Sequence, residues 1–288
     1  MRRGDGIKTG ISKIMAVGDA MKADFLEVGA RVDQIAAPAD RLARKISHYV
    51  PLDRAEWVAL NTALSRNLRR VSDRALLIDE GAAPNEIHVL VEGWACRYVM
   101  LEDGRRRIVA LYLPGDICDF DVFLMPAMDQ AIAAIGMVQV AGINRSMLNE
   151  LSHAQPRVGR GLWWESLTAA AIQRAWTINV GHRAAKRRIA HLLCELYQRS
   201  SLVGLADCRQ CALPLTQSHL ADACAMTAIH ANRALQDIRR DGLLSLEDGV
   251  LTICDWEGLT TLAHFNPAYL QVPALCEESA IVSTVISV

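Results

Sequence analysis

The sequence has no excess of positive charge: 31 lysines and arginines face 32 acids, for a formal net charge of −1. Overall basicity is therefore excluded as a means of holding nucleic acid, and any such binding must come from a local basic surface. Long apolar runs are also missing. The longest uncharged apolar stretch, around AIAAIGMVQVAGI (131–143), falls short of the roughly 20 residues that a membrane span needs. The N-terminal stretch is interrupted by Lys13, Asp19, Lys22 and Asp24, which leaves no apolar core for a signal peptide. Without an export signal the expected compartment is the cytoplasm, where the eight cysteines would be mostly reduced. GDGIKTG (4–10) has neither Gly-Lys-Ser/Thr nor a preceding strand pattern, so it is no phosphate-binding loop.

What is present suits two soluble domains: 288 residues, 51% apolar and 22% charged. Residues 1–38 carry weak patterning and end in the linker-like AAPAD (36–40). Over 40–68 the spacing predicts helix, with Leu42, Ile46, Val50, Trp57, Leu60 and Leu64 facing a core and a break at Pro51. Turn signals then recur at Glu80-Gly81, Glu92-Gly93, Asp103-Gly104 and Pro114-Gly115-Asp116. The strand-like runs EIHVLVEG, WACRYVML and RRRIVALYL lie between them, and further strands are expected at 131–137 and 138–144. Short strands at this spacing indicate an antiparallel sandwich or jelly-roll barrel. After Pro156, Trp164, Leu167, Ala171, Ala175 and Ile178 repeat at three and four, a narrow seam suited to a partner helix. RAAKRRIAHLLCELYQR (183–199) follows as an amphipathic helix, with Ile189, Leu192, Leu193 and Leu196 inward and its basic residues outward.

The chemistry concentrates in LTQSHLADACAMTAIHANRALQDIRRDGLLSL (215–246). Thr216 and Thr227 are N-cap residues opening two helical patterns a few residues apart. Leu220 and Ala223 point inward from the first, and Ile229, Leu235 and Ile238 from the second. A second helix with a polar N-terminal end makes a helix-turn-helix. In that motif the start of the second helix reaches base edges in the major groove, where Arg pairs with guanine and Asn with adenine. Residues 201–265 hold more acids than bases. The basic contribution therefore falls to Arg233, Arg239 and Arg240 and to the helix beginning at 183.

The whole order resembles the Crp/Fnr family of bacterial transcription regulators, over roughly residues 40–270. GWACRYVMLEDGRRRIVALYLPGD looks like the family's β-roll, RAAKRRIAHLLCEL like the helix entering its DNA-binding domain, LPLTQSHLADACAMTAIHANRALQDIRRDGLL like its reading head and LEDGVLTICDWEGL like its wing. The resemblance implies an α+β fold with a jelly-roll-like antiparallel β-roll. It divides the chain into a flexible extension (1–38), a β-roll sensor (39–153), a dimerisation helix (154–182), a winged helix-turn-helix (183–265) and a tail (266–288). It implies that Thr216, Gln217 and Thr227 hold phosphates and that His230, Asn232 and Arg233 face the groove, Arg233 reading guanine. The seam Trp164, Leu167, Ala171, Ala175 and Ile178 would pair two copies. Double-stranded DNA, a second copy of the chain and RNA polymerase are the implied partners, with no membrane. Where family members carry Glu, this chain has Ile229; where some carry Arg, it has Ala228; and Ala225 stands where the turn usually has Gly.

Cyclic-nucleotide-binding members continue after the Pro-Gly-Asp turn with Gly-Glu for the ribose and Arg-Ser/Thr for the phosphate. Here Asp129 and Gln130 stand where the Arg is wanted, and an acid there would repel a cyclic phosphate. Iron–sulfur members carry closely spaced N-terminal cysteines; residues 1–40 have none. No cofactor is expected, and the effector is left open. Cys208 and Cys211 form the one close pair, readable as inert thiols, a redox couple or half of a metal site. Asp116, Asp119 and Asp121 read as a solvated rim rather than a metal cluster, Cys96 and Cys118 as buried apolar residues, and His88 as a packed side chain rather than a haem ligand. Two rival functions stand beside a dimeric transcription factor: a Cys-x-x-Cys redox enzyme, and an effector- or redox-sensing interaction protein with a weakened DNA-binding head.

Overall fold

The computed structural model describes residues 38–271, with Asp121 and Val122 by their backbone alone. The expected extension over 1–38 falls, apart from Pro38, outside the described residues, as do positions 272–288. Two helices open the described chain, α1 (Asp40–Ser47) and α2 (Arg54–Ser65). Pro51 separates them, and Asp53 starts α2 by a reciprocal cap: its carboxylate accepts Glu56 N–H at 3.0 Å while Glu56 Oε2 accepts Asp53 N–H at 2.8 Å. Leu42, Ile46, Leu60 and Leu64 are fully buried against the sheet that follows.

That sheet comprises β1 (Leu68–Val71), β2 (Leu76–Ile78), β3 (Glu86–Met100), β4 (Arg106–Tyr112) and β5 (Ala131–Asn144), all antiparallel, in the order β1-β5-β3-β4 with β2 also on β5. The expected turn at Glu92-Gly93 is not a turn, and the expected division at 137/138 is not a break. EIHVLVEG and WACRYVML form one 15-residue strand, and 131–137 and 138–144 form another of 14. The register slips near Glu92, where Gly93 takes φ +80°, and Gly136 opposite takes φ +74°. Paired bulges bend the long ribbon without ending it, which curls the sheet into a roll. A Cβ at Gly93 would lie 2.9 Å from Val138 Cγ1, so only glycine fits.

Helix α3 (Arg145–Ala154) leads to α4 (Pro156–His182), 27 residues long and about 40 Å at 1.5 Å per residue. One face of α4 is buried in its own chain through Val158, Leu162, Glu165, Thr168, Ile172, Trp176 and Asn179. The expected seam meets this face differently along its length. Leu167 and Ile178 stand out at 58% and 57% exposure, and Ala171 and Ala175 are half-buried. Trp164, however, turns inward and stacks on Tyr49, with ring centroids 5.6 Å apart and an 11° interplanar angle. Its neighbour Trp163 takes the outward position at 73% exposure. Successive helical residues differ by about 100°, so one step decides which tryptophan faces out.

The C-terminal part comprises α5 (Ala185–Leu202), β6 (Ala206–Asp207), β7 (Gln210–Ala212), α6 (Gln217–Ala223), α7 (Ala228–Arg240), β8 (Leu244–Glu247), β9 (Val250–Ile253), α8 (Trp256–Ala263) and a 3₁₀ turn at Pro267–Leu270. Its sheet runs β6-β7-β9-β8. Both of its hairpins turn on two successive positive-φ residues, Cys208-Arg209 and Asp248-Gly249, the geometry that matches strand twist. Helix α5 is the core: every residue from Ile189 to Ser200 is buried. The expected tail is corrected here. Leu270 is buried, Tyr269 Oη donates to Glu195 Oε2 at 2.8 Å and Tyr49 Oη donates to Leu270 O at 3.0 Å, so residues to 271 belong to the folded body. Among the described residues no helix is long and apolar enough to cross a membrane.

Candidate nucleic-acid interface

Helices α6 and α7 are each opened by a threonine. Thr216 Oγ1 accepts His219 N–H at 3.2 Å, and Thr227 Oγ1 accepts His230 N–H at 3.3 Å. A hydroxyl that accepts an N–H keeps its own proton to donate, so the Thr216 cap remains able to bond a phosphate oxygen, whereas Thr227 Oγ1 also meets His230 Nδ1. Gln217 is exposed beside the first cap. Between the helices Ala225 is left-handed at φ +50°, a conformation that costs a residue bearing a Cβ about 1 kcal/mol. Arg188 of α5 reaches this turn: its Nη1 donates to Cys224 O at 2.7 Å and its Nη2 to Arg183 O at 3.0 Å.

Ala231, Ala234, Leu235 and Ile238 form the buried stripe of α7. Its outer face presents His230, Arg233, Gln236 and Arg240, with Asn232 half-buried. Ile229, expected inside, is 68% exposed; two residues before Ala231, it lies roughly 200° around the helix from that stripe. Asn232, Arg233, Gln236 and Arg240 line one shallow groove of about 390 Å³, with Ile229 and Asp237. His230 is drawn back to the cap, its Nδ1 3.1 Å from Thr227 Oγ1. Gln236, which the sequence reading missed, follows Arg233 by three and Asn232 by four; that spacing alone was the signal.

Acids pair with three of the local basic groups. Arg239 pairs with Glu247 at 3.3 Å, Arg240 with Asp237 at 3.0 Å and Lys186 with Asp241 at 2.5 Å. Among the described residues, Arg233 alone of the three arginines in α7 is in no ion pair. The basic face expected of α5 is also reduced, since Arg188 is spent on the turn and Arg199 is buried.

Cys208 and Cys211 do not face a common point. Cys208 is exposed at the hairpin tip, and Cys211 is buried in the core, where burial pushes its thiol up to about 11. Among the described residues no group of three or more His, Cys, Asp and Glu is arranged to hold a metal ion. Cys96 and Cys118 are buried. Asp116 and Asp119 are no solvated rim: both are buried, because each has partners inside. Asp119 accepts His88 N–H, and its other oxygen meets His88 Nδ1, both at 2.6 Å. This also accounts for His88 as a packed side chain.

A cavity of about 460 Å³ opens between the roll and α4, lined among others by Arg97, Tyr112, Phe120, Gln130, Ile172 and Gln173. Asp129 is exposed and does not line it. The expected repulsion of a cyclic phosphate by that acid therefore has no place, and only Gln130 bears on the site.

An antiparallel roll, a long helix with an outward apolar stripe and a winged helix-turn-helix define a two-domain protein of the DNA-binding-regulator type. Residues 187–262 match the model of the Crp-like helix-turn-helix domain, and residues 68–155 that of the cyclic nucleotide-binding domain. The transcriptional activator protein FnrL of Cereibacter sphaeroides is 29% identical over 161 residues, 55% of this chain and 64% of that protein. The match thus spans just under two thirds of that relative's length. An anaerobic regulatory protein of Haemophilus influenzae is 22% identical over 75% of this chain and 83% of its own length. The solved structure of FixK2 from Bradyrhizobium japonicum shares the fold, with a TM-score of 0.61 at 24% identity over 68% of this chain and 96% of that one. This chain belongs to the Crp/Fnr family.

Proposed function

We propose that this protein regulates transcription by binding, as a homodimer, an inverted-repeat DNA site. The observation that carries the reading is the outer face of α7, where Arg233 stands without an ion pair among the described residues beside Asn232 and Gln236. Arg233 reads a guanine, Asn232 and His230 meet neighbouring bases, and Thr216, Gln217 and Thr227 hold phosphates at the two helix N-termini. The outward stripe Trp163, Leu167, Ala171, Ala175 and Ile178 of α4 supports pairing of two copies. The cytoplasm is the compartment and RNA polymerase a further partner, as befits FnrL's description as a transcriptional activator. Gln130 in place of an arginine supports a cavity that does not hold cyclic AMP in the family manner.

Selection of bound duplexes from a random pool is expected to return an inverted repeat. On that repeat, Arg233→Ala loses about 1–3 kcal/mol of discrimination at one base pair per half-site, whereas Gln217→Ala weakens all sequences alike. Unchanged binding by Arg233→Ala refutes the groove assignment.

A further inference from the structure

Five charged side chains are buried together where roll, α1, α4 and α5 meet: Lys45, Asp116, Glu165, Glu195 and Arg199. Asp116 is the hub. Its Oδ1 accepts Lys45 Nζ and its Oδ2 accepts Arg199 Nη2, both at 2.6 Å, and Oδ2 also accepts Leu113 N–H at 2.8 Å. Lys45 Nζ also bonds Glu165 of α4. Arg199 Nη2 donates further to Leu111 O at 2.8 Å, and Glu195 takes Trp176 Nε1–H at 3.0 Å. Burial alone would raise the Asp116 carboxyl, but Lys45 and Arg199 beside it hold it below its ordinary value.

Removing these charges from water is costly, and apolar residues of the same volume usually stabilise a fold as well or better. What such a cluster supplies instead is one permitted geometry. Asp116 is fixed to the sheet: Leu90 N–H donates to its carbonyl at 2.9 Å, and Gly115 N–H donates to Leu90 O at 2.7 Å. Arg199 sits near the far end of α5, eleven residues beyond Arg188, whose guanidinium grips the turn of the helix-turn-helix at Cys224. A helix advances 1.5 Å per residue, so a rigid, buried rod of about 16 Å joins the two arginines. One of its ends is set by the sensor roll and the other sets the reading head.

We infer that Asp116 of the sensor roll is a positioning residue for DNA binding, acting through Arg199 and the α5 rod to fix the two reading heads at the spacing of an inverted repeat. The inference rests on the dimeric reading above. The hub also walls the 460 Å³ cavity through Lys45, Asp116, Glu165 and Arg199, so a molecule entering the cavity bears on the hub directly. Breaking the hub leaves the surface of α7 untouched. A single head therefore binds one half-site as before, and only the gain from engaging two half-sites at once is lost.

The test uses the full chain and two fluorescent duplexes: the inverted repeat recovered by selection, and the same DNA with one half-site scrambled. Asp116→Asn keeps side-chain size and Arg199→Gln shortens the side chain; both remove the charge pair, and Arg199→Lys keeps it. Asp116→Asn and Arg199→Gln are expected to lose roughly tenfold or more on the full repeat, from the avidity gain, and to stay within about twofold on the half-site duplex. Arg199→Lys is expected to retain most of the full-repeat affinity. Near-parental affinity of Asp116→Asn and Arg199→Gln on the full repeat overturns the inference. So does an equal loss on both duplexes, which marks damage to the head or the fold. A parent that binds the two duplexes alike instead refutes the dimeric reading itself.

Discussion

Ala225 concentrates strain at one position. Its φ of +50° costs a side-chain-bearing residue about 1 kcal/mol, and glycine nothing comparable. Ala225→Gly is therefore expected to stabilise the protein by up to about 1 kcal/mol in urea unfolding, offset in part by the freer unfolded chain, with DNA affinity retained. His191 gives a second prediction. It is buried between Phe265 and Tyr269, with ring centroids 5.3 and 6.0 Å away, and burial lowers its imidazole from 6.5 to about 3. The unfolded chain takes up this proton first as pH falls. The stability of neutral His191 is thus present above about 6.5 and lost progressively toward about 3, with a slope approaching 1.4 kcal/mol per pH unit at most, about one pK unit's worth. Unfolding at pH 7 and pH 5 should show that loss, and His191→Leu should reduce it. Residue roles were legible where their physics is local. Thr216 and Thr227 cap helices three residues away, and the cap rule finds them. Arg199 was read as solvated because its partner Asp116 lies 83 residues off, beyond any local pattern.

Among the elements, the long helix α4 was legible in extent but not in orientation. Periodicity marked it as apolar along one stripe, and it has two: one against its own chain, one outward. A monomer's sequence does not say which stripe meets which neighbour, and Trp163 and Trp164 are adjacent. Gly161 carries the packing of α4 on α1. A Cβ there would collide with Ile46 Cγ2 and lie 3.2 Å from Ile46 Cβ. Alanine favours a helix interior over glycine by about 1 kcal/mol, yet Gly161→Ala is expected to destabilise by about 1–3 kcal/mol because a β-branched neighbour must move. In chemical unfolding, Ile46→Ala combined with Gly161→Ala should cost less than the sum of the two single changes. The long strands were placed correctly and divided wrongly, and the short β1 and β2 went unread. Gly93 read as a turn, since glycine signals both a turn and a bulge, and only the partner strand tells them apart.

At the scale of the molecule, the order of roll, long helix and winged head could be read from turn spacing and helical periods. The docking of these parts could not, because it depends on polar contacts between distant segments. One is Arg106 of the edge strand β4, which holds Asp222 of α6 at 2.9 Å. The outward stripe of α4 yields the prediction proper to this scale. Leu167 is exposed in the single chain, so Leu167→Glu should leave the melting of the monomer unchanged while placing like charges against each other across a two-fold axis. Light scattering is expected to report a monomer, and a gel shift on the same samples a loss of the full-repeat complex; a monomer that still binds the repeat at parental affinity refutes pairing through α4. The bond from Tyr49 to Leu270 spans 221 residues. Synthesis proceeds at about 5–20 residues per second, so the second partner emerges roughly 10–45 s after the first. The last strand of the roll ends at Asn144, so for roughly the final 6–25 s of that interval the newly made roll is complete while the segment that fastens the head to it does not yet exist. Birth on the ribosome therefore gives the roll a period of independent existence, and its own core, from Leu42 to Ile143, has to sustain it alone.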